Sequence, residues 1–459
     1  MADFRKVKLN SILGHVEKIL REQTQQNDHL ILGLSGGIDS VVLLNILVTL
    51  SAKMHFSLSA IYVNHGISFN ADRWEIFCQD LCKFHNVPIT VTRVKINQNL
   101  GASLEAAARE LRYQVFEKLE ADYILLAQHL DDQAETLFLQ LLRGAGLRGL
   151  RAMPLVRVQA GKLKNGTLNF GPPILRPLLE VSKNEIENFA QKNKLNWITD
   201  ESNGDISFDR NFLRHKIFPL LAERFPSYRT NFFRASRHVA EASSLLDELA
   251  RIDEQSCIHF GKLQIEGLRT LELSRATNLL RFTFSRQGMV LPSTAKLRDI
   301  LQQLLSSGQS TRLNIIFGNT QVRCFRGSVY INLVSPLPKS NWQFSWRGEE
   351  RVMIQELGGE ISLVPQQGAG ISLQKLKENQ ILIRSRSGGE YFQPDCKRPR
   401  RSLKNLLREA SLPPWEREML PILLSGKNLV WVPGIGVDCN FQATPGEPGL
   451  VVKWLINSS

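Results

Sequence analysis

Short apolar runs and longer apolar or periodic segments alternate along residues 1–220 of the chain. A short apolar run bounded by turn formers is typical of a buried strand in a parallel sheet, and a longer segment between two such runs is typical of a helix. The predicted strands are residues 30–34, 58–66, 88–96 and 122–129, and the predicted helices are residues 41–50, 72–86 and 103–120. This alternation predicts an α/β fold with a doubly wound parallel sheet, in which ligands bind at the carboxyl ends of the strands.

The pattern changes near residue 230, where amphipathic helical periodicity replaces the alternation. Helices are predicted at 233–255, 268–288 and 293–307, and a β-hairpin at 312–334. Beyond a Pro/Ser linker at 335–342, strand-like runs at 380–386 and 428–437 flank one helix near 402–410. The predicted domains are an α/β domain at 1–222, a mainly helical domain at 230–334 and a small mixed α+β domain at 342–459.

Charge is the property of the whole chain that says most about partners. The 459 residues carry a net charge of +13, which makes nucleic acid the first partner to consider. No apolar run is long enough for a membrane span, and the N-terminus MADFRKVKLN lacks the apolar core of a secretion signal, so a cytoplasmic protein is expected. The six cysteines form no C-x-x-C pair. Cys78 and Cys82 are expected to be small buried residues, and no disulfide framework is expected.

Residues 35–40, Ser-Gly-Gly-Ile-Asp-Ser, lie between the first predicted strand and the first predicted helix. Backbone N–H groups at the start of a helix bind phosphate together with the helix dipole. The stretch lacks the lysine of a Walker loop, and its aspartate would repel a polyphosphate unless a divalent cation lay between them. Asp39 therefore predicts Mg²⁺. The alternative is a tight turn followed by an ordinary acidic residue at a helix start.

Carboxylates cluster in AQHLDDQAET, residues 127–136, where a predicted strand runs into a helix. Asp132 and Glu135 are three residues apart, and Asp131 and Glu135 are four apart, so that one helical face carries them. Such acids hold a metal ion or a substrate ammonium group, unless they only complement the helix N-terminus. In the helix 103–120, Arg112 has no obvious carboxylate partner and is a candidate phosphate ligand.

Two basic segments are candidates for RNA contact, although a solvated helix face is the usual reason for such a run. Residues 200–221 include Arg210 and Arg214, and residues 397–408 carry six basic residues and no acid. The nearby Trp415 favours RNA, since bases stack on aromatic rings while Lys and Arg contact phosphates. The candidates in the second segment are Lys397, Arg398, Arg400, Arg401 and Lys404.

These motifs resemble the tRNA isoleucine-lysidine synthases, bacterial members of the PP-loop ATP pyrophosphatase superfamily. Residues 35–40 match the superfamily loop, and HLDDQAETLFLQLLRGAGLRGLRAM (129–153) is similar to the narrower synthase signature. The stretches RPLLEVSKNEI, WITDESN, RNFLRHKIFPLL and LKNLLREASLPPWERE also resemble segments of that family. The resemblance spans nearly the whole chain and fits the three predicted domains.

The resemblance implies an ATP-binding catalytic domain at 1–222 followed by two tRNA-contacting domains. It implies a ligase in which ATP adenylates the oxygen on carbon 2 of the wobble cytidine in the CAU anticodon of tRNA(Ile), with release of pyrophosphate. The ε-amine of free L-lysine then displaces AMP to form lysidine, which switches codon reading from AUG to AUA. The implied ATP ligands are Ser35, Gly36, Gly37, Ile38, Asp39 and Ser40.

The resemblance also implies roles for the charged candidates. Asp39 and Asp132 would hold Mg²⁺ and offset charge at the α-phosphate, while Arg112 would stabilise the leaving group. Glu135, with Asp132, would bind the lysine amine, which needs a base because its ordinary pKa is about 10.4. The tRNA-binding residues would be those of the two basic segments. A homodimer is compatible with the sequence.

Two positions depart from the family pattern, and the sequence argues against two other functions. Gln128 stands where a histidine is expected, and Asn64 precedes His65 where relatives often carry Asp or His, so neither is expected to transfer protons. A PP-loop tRNA thiolase would need placed cysteines, which the loop lacks. A catalytically silent RNA-binding factor would not need the carboxylates at 39, 132 and 135. Release of AMP and pyrophosphate without ADP would separate the synthase from a silent factor.

Overall fold

The computed structural model describes residues 11–66, 68–95, 104–158, 162–164, 167–169, 171–308, 313–334, 342–377 and 379–456. The chain forms two compact units, one of residues 1–164 and 168–253 and the other of residues 165–167 and 254–459. The division into three domains stays a prediction. Throughout the described ranges, each helix is too short or too polar to cross a lipid bilayer.

The first unit contains the parallel sheet that the alternating pattern predicts. Its strands are β1 (His29–Gly33), β2 (Ser57–Asn64), β3 (Ile89–Arg93), β4 (Tyr123–Leu125), β5 (Val156–Arg157), β6 (Lys162–Lys164), β7 (Thr167–Asn169) and β8 (Ile174–Leu175). The six-stranded sheet has the order β3-β2-β1-β4-β8-β5, in which the first five strands are parallel and β5 is antiparallel to β8. The doubly wound α/β prediction is confirmed.

Helices cover both faces of this sheet. The helices of the chain up to residue 257 are α1 (Ile12–Gln23), α2 (Ile38–Met54), α3 (Ala71–Phe84), α4 (Leu104–Phe116), α5 (Leu130–Leu142), α6 (Leu147–Leu150), α7 (Lys183–Lys192), α8 (Asp209–Phe212), α9 (Phe218–Arg224) and α10 (Tyr228–Cys257), with a π-helical turn at Leu213–Ile217 and a 3-10 turn at Glu201–Gly204. Successive residues of β1 point to opposite faces, so Leu30 and Leu32 join the core with α2 while Ile31 packs with Phe116 of α4. Because α2 is apolar nearly all round, it lies buried against the sheet.

The predicted strand at 122–129 is too long. After β4 ends at Leu125, residues 126–129 are irregular and lead into α5, although the N–H of Leu126 still donates to the carbonyl of Leu175. The early end of the strand places His129 at the N-terminus of α5. The sequence does not show where the strand ends, because residues 122–126 are mostly apolar and no turn former separates them from the polar residues that follow.

The second unit combines helices with antiparallel sheets. Its helices are α11 (Ile265–Thr270), α12 (Leu273–Arg286), α13 (Thr294–Ser306), α14 (Leu373–Leu376), α15 (Leu403–Glu409) and α16 (Pro414–Glu418), with 3-10 turns at Gln355–Leu357 and Cys439–Phe441. Its strands are β9 (Ile258–His259), β10 (Lys262–Gln264), β11 (Asn314–Phe317), β12 (Thr320–Phe325), β13 (Ser328–Leu333), β14 (Gln343–Ser345), β15 (Arg351–Ile354), β16 (Gly359–Gln367), β17 (Ile371–Ser372), β18 (Ile381–Arg384), β19 (Tyr391–Phe392), β20 (Arg401–Ser402), β21 (Ile422–Ser425), β22 (Asn428–Val432), β23 (Gly436–Val437) and β24 (Pro448–Ile456).

Several expectations for this unit are confirmed. The predicted hairpin is the antiparallel set β11, β12 and β13, which continues through β10 to β9. Farther along the chain, the predicted helix near 402–410 is α15. The two strand-like runs become β18 and the pair β22 and β23, in a sheet of order β14-β18-β21-β22-β23.

The cysteines divide into two kinds. Cys78 and Cys82 are buried, as predicted, and burial raises the pKa of the Cys78 thiol to about 12. Cys396 and Cys439 form a disulfide, which departs from the expectation that the chain has no disulfide framework. The two positions are 43 residues apart in sequence, and only the folding of the second unit brings them together.

Candidate active site

The Ser35–Ser40 stretch forms a tight loop between β1 and α2. Gly36 has a φ of +81°, a backbone conformation that favours glycine, and a Cβ there would also lie 2.8 Å from Cδ1 of Ile198. The hydroxyl of Ser40 accepts a bond from the N–H of Ser35 (3.2 Å) and donates to the carbonyl of Gly37 (2.9 Å). These bonds close the loop on itself.

The loop ends at the uncapped start of a long helix. Gly37 is the N-cap of α2 and offers no side chain to the first-turn N–H groups. Such groups, together with the helix dipole, favour an anion. The geometry therefore fits the predicted phosphate-binding loop.

Three strands of the parallel sheet end at this edge. Ser35 follows β1, His65 follows β2 and His129 follows β4, and the carboxyl ends of parallel strands share one side of the sheet. His129 is almost fully buried, and its Nε2 lies 3.6 Å from Oδ1 of Asp39 and 3.6 Å from Oδ2 of Asp132. Those two carboxylate oxygens are therefore separated by no more than twice that distance. The structure brings together the two acids predicted to hold Mg²⁺.

Asp132 is held at the start of α5 by its own helix and by basic neighbours. Its Oδ2 accepts the backbone N–H of His129 at 3.0 Å. Burial alone would raise the pKa of Asp132, but the charges of His129 and Arg210 outweigh burial and hold that pKa below its usual value. Asp132 is therefore ionised at neutral pH.

Glu135 is the most deeply buried acid of this face, with about 1% of its side chain exposed. Nε of Arg210 lies 2.6 Å from Oε2 of Glu135, and Nη2 of Arg210 lies 2.9 Å from Oδ1 of Asp132. Arg214 binds both oxygens of Glu135, at 2.7 and 3.0 Å. Arg210 and Arg214, predicted to contact tRNA, thus lie against the acidic face of α5. Helix α8 and the π-helical turn after it position them.

Asp39 also has a close partner in the ammonium group of Lys183. Nζ of Lys183, the first residue of α7, lies 2.7 Å from Oδ1 of Asp39, and both side chains are about one-third exposed. The main chain of Lys183 is fixed as well, because its N–H donates to Oδ2 of Asp131 at 3.0 Å. Lys183 lies in the segment RPLLEVSKNEI, which resembles the family, but no motif in the sequence marks this lysine as part of the site.

Arg112 lies near His65, the residue that follows β2. Its Nη2 is 3.4 Å from Nε2 of His65. Burial, followed by the charge of Arg112, lowers the pKa of His65 to about 4, so the imidazole is neutral at pH 7. The two departures from the family pattern make structural hydrogen bonds: Asn64 donates to Glu75 at 3.0 Å, and Gln128 accepts from buried Arg176.

The basic residues of the second unit have mixed surroundings. Arg400 pairs with buried Asp438 at 2.9 Å, Arg401 pairs with Glu409, and Arg398 lies 3.4 Å from Asp395. Lys397 and Lys404 are exposed. Trp415 is half-buried and makes edge contacts with Phe325 and Tyr330. Part of the basic segment is therefore tied into the fold, and its two lysines face solvent.

The described ranges contain no group of three or more His, Cys, Asp or Glu side chains arranged to hold a metal ion. This does not conflict with Mg²⁺, which usually takes one or two carboxylates together with substrate phosphates and water. Asp39 and Asp132, beside a phosphate-type loop, are the donor set that such an ion requires.

Comparison with known proteins adds to this geometry. Residues 9–221 match the PP-loop domain family, residues 263–330 the TilS substrate binding domain and residues 381–454 the TilS substrate C-terminal domain. The chain is 47% identical over 455 residues to the tRNA(Ile)-lysidine synthase of Nitrosomonas europaea, covering 99% of this chain and 98% of that protein. It is 36% identical to the tRNA(Ile)-lysidine synthase of Azoarcus sp., covering 92% and 90%.

Among solved structures, the chain resembles a U34-tRNA thiolase from Methanococcus maripaludis. The TM-score is 0.42 with 18% identity, over 51% of this chain and 80% of that one. A likeness of that degree carries no argument about function.

Proposed function

The chain belongs to the tRNA(Ile)-lysidine synthase family, and from that premise we propose that it converts the wobble cytidine of the CAU anticodon in tRNA(Ile) to lysidine, using ATP and free L-lysine. The enzyme is an ATP-dependent ligase that forms a carbon–nitrogen bond. The observation that carries the proposal is the Ser35–Ser40 loop lying next to the Asp39–His129–Asp132 cluster at the carboxyl edge of the sheet.

In the first step, the oxygen on carbon 2 of the cytidine attacks the α-phosphate of ATP, and pyrophosphate leaves. The backbone of Ser35, Gly36, Gly37 and Ile38, with the hydroxyl of Ser40, would hold the phosphates at the start of α2. Arg112, next to neutral His65, would stabilise the leaving group. Since the reaction spares the bond to the terminal phosphate, AMP and pyrophosphate are the expected products.

Asp39 and Asp132 would hold Mg²⁺ against the phosphates. When bound, the ion would supply positive charge that offsets the charge developing on the phosphate oxygens. Both carboxylates approach the same imidazole nitrogen, Nε2 of His129.

In the second step, the ε-amine of lysine attacks carbon 2 and AMP leaves. Asp132 and Glu135 are the proposed ligands of the amine, and one of them would take its proton. Arg210 and Arg214 already occupy oxygens of both acids. The substrate ammonium therefore competes with these guanidinium groups, and the acids bind it only if an arginine shifts.

The remaining parts of the proposal concern tRNA and assembly. We assign catalysis to residues 1–222 and tRNA contact to 230–334 and 342–459, which the three family matches support. Among the basic residues, Lys397 and Lys404 are the best candidates for phosphate contact because they are exposed. Arg398, Arg400 and Arg401 would contribute after leaving their acidic partners. A cytoplasmic location and a homodimer complete the proposal, and sedimentation of the purified chain would test the dimer.

The experiment is a reaction with ATP, free lysine and unmodified tRNA(Ile), followed by mass analysis of the anticodon nucleosides. The expected result is a wobble nucleoside carrying covalently attached lysine, together with equal amounts of AMP and pyrophosphate. A methionine tRNA with the same CAU anticodon serves as the control substrate and should stay unmodified. Production of ADP, or an unmodified wobble cytidine after ATP consumption, would overturn the proposal.

A further inference from the structure

We propose that Lys183 is a ligand of the ATP polyphosphate and supplies, from a distant part of the chain, the cation that the Ser35–Ser40 loop lacks. The inference deepens the proposed function and rests on its ATP-binding step. It requires neither the base chemistry nor the lysine substrate.

The side chain of Lys183 lies beside the Ser35–Ser40 loop. Nζ of Lys183 lies 2.7 Å from Oδ1 of Asp39, the second residue of α2. That places an ammonium group beside the helix start where the phosphates are expected to bind. About one-third of the Lys183 side chain is exposed, so an incoming anion can reach it.

The backbone of Lys183 is held in place, while its ammonium group keeps N–H donors for a ligand. The capping box of Ser182 and Glu185 fixes the start of α7, and the N–H of Lys183 donates to Asp131. A lysine ammonium has three N–H donors. With one bond to Asp39, two donors are left for phosphate oxygens.

The charges around the loop also favour a basic ligand for the phosphates. Asp39 and Asp132 bring two carboxylates to a place that must accept a polyanion, and the loop from Ser35 to Ser40 contains no basic residue. Arg210 and Arg214 are engaged with the buried acid of α5. Lys183 is the cation that the structure places directly on the loop aspartate. We infer that it neutralises Asp39 before the nucleotide binds and contacts the outer phosphates afterwards.

The test is nucleotide binding by calorimetry, in the presence of Mg²⁺ and without tRNA or lysine. For Lys183→Gln, the Kd of ATP should rise roughly 10- to 100-fold, as expected for loss of a hydrogen bond to a charged group. Inorganic pyrophosphate should be affected in the same way, whereas AMP should bind as in the wild type. Lys183→Arg should retain much of the ATP affinity because it keeps the charge.

The matched control is Lys192→Gln, which changes an exposed lysine at the other end of the same helix and should leave every Kd unchanged. A Lys183→Gln protein that binds ATP as tightly as the wild type would refute the inference. So would an equal loss of ATP and AMP affinity, because a purely structural ion pair would affect both nucleotides alike.

A second measurement uses the wild-type protein and does not depend on the folding of a variant. Amine acetylation read by mass spectrometry should show that ATP and pyrophosphate protect Lys183, while AMP does not, with Lys192 labelled equally in all samples. Unchanged labelling of Lys183 under saturating ATP would overturn the inference. Neither result depends on lysidine formation, so the two proposals can fail separately.

Discussion

Replacing Glu135 with glutamine should destabilise the first unit substantially, because this acid neutralises two arginines. Glu135 is about 1% exposed and makes three hydrogen bonds of 2.6 to 3.0 Å with Arg210 and Arg214. Removing one member of a fully buried ion pair costs about 3–5 kcal/mol. The two guanidinium groups are 24% and 38% exposed, so water recovers part of that loss. We expect a loss of about 2–3 kcal/mol.

The assay is urea unfolding followed by circular dichroism, with thermal unfolding as a second probe. For a unit of this size, about 1 kcal/mol corresponds to roughly 2–4 °C in Tm. The loss should persist at 1 M NaCl, since salt screens buried pairs far less than exposed ones. The control is Glu22→Gln, which removes an exposed pair with Lys18 at 3.9 Å and should cost less than about 0.5 kcal/mol. If Glu135→Gln and Glu22→Gln have the same free energy of unfolding, the structural role assigned to Glu135 is wrong.

Three further predictions concern the Ser35–Ser40 loop, the exposed lysines of the basic segment 397–408 and His65 at the carboxyl end of β2. Asp39→Asn should abolish lysidine formation and leave the Kd for tRNA nearly unchanged, measured by filter binding. Lys397→Ala with Lys404→Ala should weaken tRNA binding and reduce the slope of log K against log salt by roughly 0.7 per lost contact on single-stranded segments. The imidazole of His65 should titrate with a pKa of about 4 by NMR, and Arg112→Ala should raise that pKa because a repelling positive charge is removed.

Each of these three predictions has a result that would contradict it. Loss of tRNA binding in the Asp39 variant would remove its assignment to the phosphate site. An unchanged salt slope would leave the two lysines as solvated surface residues. For His65, the lowered pKa means that protonation opposes folding. The stability it contributes is present above its unfolded pKa of about 6.5 and declines as pH falls from there towards 4. A His65 that titrates near 6.5 would show that the imidazole is not buried against Arg112.

Local sequence was a good guide to the sheet and to the loop. The alternation of strands and helices in residues 1–220 predicts a doubly wound parallel sheet, and β3, β2, β1, β4 and β8 are parallel to one another. The Ser-Gly-Gly-Ile-Asp-Ser stretch predicted a glycine turn, and the positive φ of Gly36 confirms it. These features follow from the periodicity of apolar positions and from the steric limits on single residues. Both depend only on residues that are close together in the sequence.

Local sequence was a poor guide to charge pairing. The basic segment that contains Arg210 and Arg214 predicts RNA contact, and the structure pairs both arginines with acids more than 70 residues earlier in the chain. Arg400 and Arg401 also have acidic partners outside the basic run. A run of like charges shows which residues are basic, but the partners of those residues depend on packing.

What the sequence by itself determined is the fold class, the phosphate-type loop and the family, because periodic apolar positions and short motifs act over a few residues. Only the tertiary structure decided what surrounds each functional group. Lys183 reaches Asp39 across 144 positions of the chain, and Cys396 reaches Cys439 across 43. The physical reason is that ion pairs and disulfides form between side chains that folding brings within a few ångströms of each other. The separation of two residues along the chain does not show whether folding will bring them that close.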